Sequence, residues 1–214
     1  MGALREHDLS PLIEEFGLEY YFETGTGKGE CLSHALKYNF KNYYTVDIDE
    51  ELVEQVYNQL ENCGKDINLL VGKSTDILEE YVPQLPKESP VLFFLDAHFP
   101  GADFHKCTYE ESIRTHMKDA FPLEEEVSII VKNRDISKDV IIIDDFILYE
   151  EGDYDCINYN CTWKYGWLQD ELNLQTNSKF LYDTFGKTHN LTKDLRSQGY
   201  LIITPKKDES SSIS

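Results

Sequence analysis

Val140–Phe146 reads VIIIDDF, and this stretch decides the fold. Four β-branched apolar residues without alternation describe a central strand covered on both faces, as parallel sheets require. Two adjacent acids, Asp144 and Asp145, end it where open α/β sheets place their ligands. An earlier run, VLFFLDAHF (Val91–Phe99), ends in the same way at Asp96, with His98 close behind. Side by side, the two strands would bring three carboxylates into one small volume. Such acids repel one another and take up protons unless a divalent cation removes the conflict. The expectation is a hard-metal site at Asp96, Asp144 and Asp145.

Outward from these strands, the chain alternates strand and helix five times, which argues a doubly wound parallel sheet. Strands are expected at Tyr20–Glu23, Tyr43–Val46, Asn68–Val71, Lys179–Phe185 and Tyr200–Thr204, besides the two already quoted. Helices are expected at Ser10–Phe16 with Ser10 as cap, Glu30–Tyr38, Glu50–Leu60, Ser74 to about Tyr81, and Glu124–Lys132. Two long connections, about 100–122 and 147–178, both leave carboxyl ends of strands and would cover the same sheet edge, as a lid or as a structural flap. The reading is a single domain over 1–205 followed by a flexible polar tail, 206–214.

A chain of 214 residues is long enough for one sizeable core, and 41% hydrophobic with 13% aromatic content excludes bulk disorder. The net charge of −20 repels phosphate backbones, so no nucleic-acid partner is expected. No stretch approaches the roughly 18 uninterrupted apolar residues of a membrane span. The first residues carry scattered charges and lack the apolar core of a signal peptide. Five cysteines without a tight framework point to a reduced, cytoplasmic chain. His105, Cys107, Cys156 and Cys161 are poorly spaced for zinc, and ordinary thiols are the simpler reading.

The loop Glu23-Thr24-Gly25-Thr26-Gly27-Lys28-Gly29 lies between a strand and a helix. Glycines there permit a sharp turn and close approach to a ligand. Lys28 between the glycines rules out a phosphate loop of the GxxxxGK[ST] kind. Asp47, about twenty residues on, ends the next strand where an acid accepts hydrogen bonds from ribose hydroxyls. A nicotinamide-binding fold would show the same two features, and a tight turn beside a solvated acid is the plainer alternative.

Taken together, the glycine loop, Asp47, GKSTD (Gly72–Asp76), FLDAH and IDDF resemble a class I S-adenosylmethionine-dependent methyltransferase. The likeness runs from about Tyr20 to Phe146 and is nearest to the metal-dependent O-methyltransferases of the catechol and sugar-modifying kinds. It implies that Glu23, Gly25, Gly27 and Gly29 border the methionine end of the cofactor and that Asp47 holds its ribose. Ser74 and Thr75 would meet the adenine edge, and Asp96 would stand at both cofactor and metal. Asp96, Asp144 and Asp145 would hold the metal, magnesium by the hardness of the donors. Two departures stand out. Asp145 replaces a usual asparagine, and no lysine follows the Asp96 motif as base.

The implied reaction is in-line attack of a small-molecule hydroxyl on the sulfonium methyl group. The acceptor would be a sugar, a phenol or a natural-product intermediate. Asp96 and His98 are the catalytic candidates, His98 as general base, as a group behind the reacting atoms, or as a histidine merely bonded within its loop. Trp163, Tyr165 and Trp167 either wall an acceptor pocket or pack the insertion. Three other classes stay open: a non-catalytic protein of S-adenosylmethionine-binding fold, a nicotinamide-dependent oxidoreductase, and a metal-dependent hydrolase.

Overall fold

The structure is a computed structural model and describes residues 4–116, 118–150, 152–155 and 177–207. Cys156, Cys161, Trp163, Tyr165, Trp167 and the end of the polar tail lie outside the described residues. Seven strands form one sheet: β1 (Tyr20–Thr24), β2 (Asn42–Asp47), β3 (Ile67–Val71), β4 (Val91–Leu95), β5 (Val140–Ile143), β6 (His189–Asp194) and β7 (Tyr200–Pro205). The helices are α1 (Ser10–Phe16), α2 (Glu30–Ala35), α3 (Glu50–Leu60), α4 (Ser74–Tyr81), α5 (Tyr109–His116), α6 (Leu123–Asn133) and α7 (Lys179–Phe185). Strand order is β3-β2-β1-β4-β5-β7-β6. The first five strands run parallel, and β7 is antiparallel to both neighbours. The mostly parallel, seven-stranded, doubly wound sheet expected from sequence is the one observed.

The uninterrupted apolar strands do what their lack of alternation requires. Phe93, Leu95, Ile141 and Ile143 enter one buried cluster with Val127, Ile130, Leu181 and Phe185 from α6 and α7. Leu92, Phe94, Val140 and Ile142 enter a second cluster with Leu32 and Val56 from α2 and α3. Successive side chains point to opposite faces, so only a strand covered on both sides can be apolar throughout.

Three local expectations are corrected. Ser10 is the first residue of α1 and not its cap; its amide is held by Asp8 Oδ1 at 3.0 Å. Lys179–Phe185 is a helix, because Leu181 and Phe185, four apart, share one buried face. The closing strand is instead the polar segment His189–Asp194, which passes unnoticed because an edge strand buries little.

Acidic residues stand at both ends of the β4–β5 pair. At the amino ends Asp139 is buried, and its Oδ1 accepts from the Val91 amide at 2.8 Å. Its Oδ2 accepts from Arg134 Nε at 2.7 Å, with both side chains almost wholly enclosed. At the carboxyl ends Leu95 pairs with Ile143, so Asp96 and Asp144 leave the sheet side by side.

Candidate active site

The carboxyl ends of β1, β2 and β4 open onto a cavity of about 900 Å³ including its mouth. Gly25, Gly27, Asp47, Ser74, Asp96 and His98 all line it. Six positions named from sequence therefore meet in one space.

The glycine loop is shaped by close approach. Gly25 has φ +83°, and a Cβ there would lie 2.5 Å from the Asp96 carbonyl oxygen. A side chain at this position would push β1 away from β4. Gly29 sits at the start of α2 with φ 75°, where a Cβ would crowd Val56 of α3 at 3.0 Å. It packs helices together and does not line the cavity.

Asp47 ends β2 with both oxygens turned onto backbone. Oδ2 accepts from the Gly27 amide at 2.8 Å and Oδ1 from the Asp49 amide at 2.9 Å. Burial lifts its pKa above the ordinary aspartate value against those two bonds. Glu23 lies one layer deeper and is fully buried. Tyr21 Oη donates to its Oε2 at 2.5 Å and Thr45 Oγ1 to its Oε1 at 2.7 Å. Burial pushes its pKa to about 7. Glu23 thus supports the loop from beneath. Ser74 opens α4 at the far wall, while Thr75, next in the helix, is not among the lining residues.

The acid cluster is unevenly satisfied. Asp145 has φ 47°, a left-handed conformation unusual for a residue with a side chain. This turn delivers its Oδ2 to His98 Nε2 at 2.7 Å and its Oδ1 to Gln198 Nε2 at 2.6 Å. Burial opposes both charges, but the ion pair prevails: His98 is raised above the ordinary imidazole value and Asp145 is lowered. His98 Nδ1 lies 3.6 Å from Asp96 Oδ1. Asp144 Oδ1 accepts from the Asp145 amide at 2.8 Å, and its Oδ2 is buried without a partner among the described residues. Burial and then the Asp145 charge lift Asp144 to about 7. Burial, with Asp144 and Asp145 nearby, raises Asp96 well above the aspartate range.

Does this donor set fit a divalent cation? Among the described residues no three His, Cys, Asp or Glu side chains converge on one point. Asp145 is engaged by His98 and Gln198. Asp96 and Asp144 do fit in charge and chemistry: two adjacent buried carboxylates, one with an orphaned oxygen, are stabilised by protons or by a hard cation.

Two residues of the site escape sequence reading. Gln198 arrives from the turn before β7. Glu126, in the Glu124-Glu125-Glu126 run that opens α6, looks like one of three solvated acids. It is 1% exposed, its Oε1 has no partner among the described residues, and burial pushes it to about 7 beside Ser74 and Thr24. Its spacing from Leu123, Val127 and Ile130 puts it on the apolar face, and that was the available signal.

A mostly parallel sheet with a terminal antiparallel pair, bearing a glycine loop and an acid on adjacent strands, has the architecture of class I methyltransferases. Solved structures bear this out. The chain is similar to an O-methyltransferase from Bacillus cereus in complex with S-adenosylhomocysteine (14% identity, TM-score 0.56, 92% of this chain and 79% of that one). It is similar also to the S-adenosylhomocysteine-bound methyltransferase PaMTH1 of Podospora anserina (15%, TM-score 0.56, 92% and 75%). A third is TomG of Streptomyces achromogenes, an O-methyltransferase of tomaymycin synthesis in complex with S-adenosylmethionine (14%, TM-score 0.56, 93% and 78%). At these identities the likeness establishes the fold. No family model and no curated protein sequence matches the chain.

Proposed function

We propose that this chain is an S-adenosylmethionine-dependent O-methyltransferase acting on a hydroxyl of a small molecule. One observation favours the reading over its nicotinamide alternative: the amides of Thr26 and of all three loop glycines are already taken. Gly25 and Thr26 donate to the Val46 carbonyl, Gly27 to Asp47, and Gly29 to the Thr26 carbonyl. A pyrophosphate needs such amides free. A nucleoside carrying a sulfonium and no phosphate does not.

Asp47 would accept from ribose hydroxyls with its remaining lone pairs, and Gly25 and Gly27 would face the methionine part, with Glu23 and Gly29 supporting them. Ser74 and, less directly, Thr75 would meet the adenine. The acceptor oxygen attacks the methyl carbon; the C–O bond forms, the C–S bond breaks, and S-adenosylhomocysteine leaves as a neutral thioether. Asp96 and Asp144 would hold a divalent cation, magnesium by donor type, with Asp145 behind them. When bound, that ion lowers the pKa of the attacking hydroxyl.

His98 keeps a proton on Nε2 toward Asp145, and its Nδ1 is the nitrogen available to accept the acceptor's proton. Because His98 is raised, it is freed for this role only as pH climbs above the ordinary imidazole range. Turnover should therefore increase toward alkaline pH, measured as a rate profile on a methyl acceptor, and His98→Ala should remove that limb. The strongly acidic surface speaks against nucleic-acid acceptors. Among the described residues no helix is long and apolar enough to cross a membrane. Isothermal titration with S-adenosylhomocysteine, with and without magnesium and against NADH, tests the assignment. Binding of NADH in its place would overturn it.

A further inference from the structure

The segment Pro100–Cys107, leaving β4 after His98, does not run away from the site. It crosses the cavity mouth as a strap whose own turns are bonded: Ala102 N to Phe99 O, His105 N to Ala102 O and Lys106 N to Gly101 O, at 3.0–3.1 Å. Ser112 Oγ of α5 holds the Pro100 carbonyl from outside at 2.9 Å. The strap then makes two contacts with the loops that would grip a nucleoside.

The first contact is Phe104 on the glycine loop. A Cβ at Gly27 would lie 3.1 Å from Phe104 Cζ, so the ring rests directly on that residue. Lys28 Nζ stands 5.8 Å from the ring centroid, within reach of the aromatic quadrupole. The second contact is Lys106. Its Nζ lies 2.5 Å from Asp49 Oδ2 and 2.7 Å from Glu51 Oε2. Asp49 is the residue whose amide is bonded to Asp47. Phe104 thus covers one side of the loop pair and Lys106 ties down the other.

We propose that this strap belongs to the cofactor site: Phe104 plugs the glycine loop, and Lys106 is an ionic catch that sets how long an S-adenosyl ligand stays bound. The proposal rests on the methyltransferase reading for the identity of the ligand. A nucleoside held beneath the strap leaves only when Phe104 lifts, and lifting requires Lys106 to release two carboxylates. Asp49 is largely enclosed, whereas Lys106 is half exposed. The catch is therefore weak enough to open and sensitive to salt.

The test is the dissociation rate of S-adenosylhomocysteine from the immobilised full chain, by surface plasmon resonance. Lys106→Ala should dissociate about two- to fivefold faster, the range a partly exposed ion pair supports. Phe104→Ala should dissociate about tenfold faster or more, and Lys106→Arg should stay near wild type. Dissociation from wild type should quicken between about 0.05 and 0.5 M salt, and Lys106→Ala should flatten that response. Dissociation of Lys106→Ala at the wild-type rate with the wild-type salt response overturns the proposal. Amide hydrogen exchange at Ala102, His105 and Lys106 in ligand-free protein is the second arm. Faster exchange in Lys106→Ala supports the catch, and unchanged exchange overturns it. If wild type binds no S-adenosylhomocysteine, the functional assignment fails on that result alone, and the exchange arm still decides the catch.

Discussion

The two ends of the β4–β5 pair both bury aspartates, and they treat them in opposite ways. At the amino end Asp139 meets a guanidinium and a backbone amide, and each of its oxygens has a donor. At the carboxyl end Asp144 has an oxygen with no partner among the described residues, and Asp96 is pressed by two neighbouring acids. Burial of charge costs the fold unless partners offset it. The amino end is therefore built for stability. The carboxyl end is left with an electrostatic deficit that a ligand can remove.

This contrast is breakable by experiment. Asp139→Ala strands Arg134 in the interior and should lower unfolding free energy by about 3–5 kcal/mol in urea titration. A loss below about 1 kcal/mol would erase the distinction. Gly25→Ala, which forces a Cβ against the Asp96 carbonyl, should cost about 1–3 kcal/mol and also weaken S-adenosylhomocysteine binding at least tenfold by calorimetry. Asp139→Ala, in whatever fraction remains folded, should not weaken that binding.

The pH response follows from Glu23, Glu126 and Asp144, each near 7 in the fold and about 4 in an unfolded chain. Between those values the native state holds protons that the unfolded chain has lost. Stability must then fall as pH rises from about 5 to about 7 and level off above. Each such group contributes a loss of up to about 1.4 kcal/mol per pH unit. Thermal melts across pH 5–8 read it directly, and a rising melting temperature over that window would contradict it. Smallest of all, Asp144→Asn should gain about 1 kcal/mol at pH 8, because it removes a buried charge that lacks a partner. It should also abolish any stabilisation by magnesium.

Much of this was legible in the chain. Unalternating apolar runs ending in acids located β4, β5 and Asp96, Asp144 and Asp145, because these two strands are covered on both faces and carry no polar residue until they leave the sheet. Glycine spacing and Asp47 pointed to a loop that lines the cavity, because close backbone approach is a local property of glycine. The misreadings came where partners are distant in sequence. Lys179–Phe185 looks like a strand until the sheet face that buries Leu181 and Phe185 is known. Asp145 and Asp144 are neighbours in the sequence, and the left-handed turn and Gln198, fifty-three positions on, give them different partners. Glu126 hid in an acidic run because helix caps and buried sites use the same residue type.

Gln198 carries one more consequence. It is supplied by the antiparallel hairpin at the edge of the sheet, so the acid pair at the end of β5 is finished by a turn 53 residues further along the chain. A chain truncated after Phe185 would retain all five parallel strands and the glycine loop, yet leave Asp145 without its amide anchor. The glycine loop and the acid pair therefore depend on different stretches of the chain for their completion.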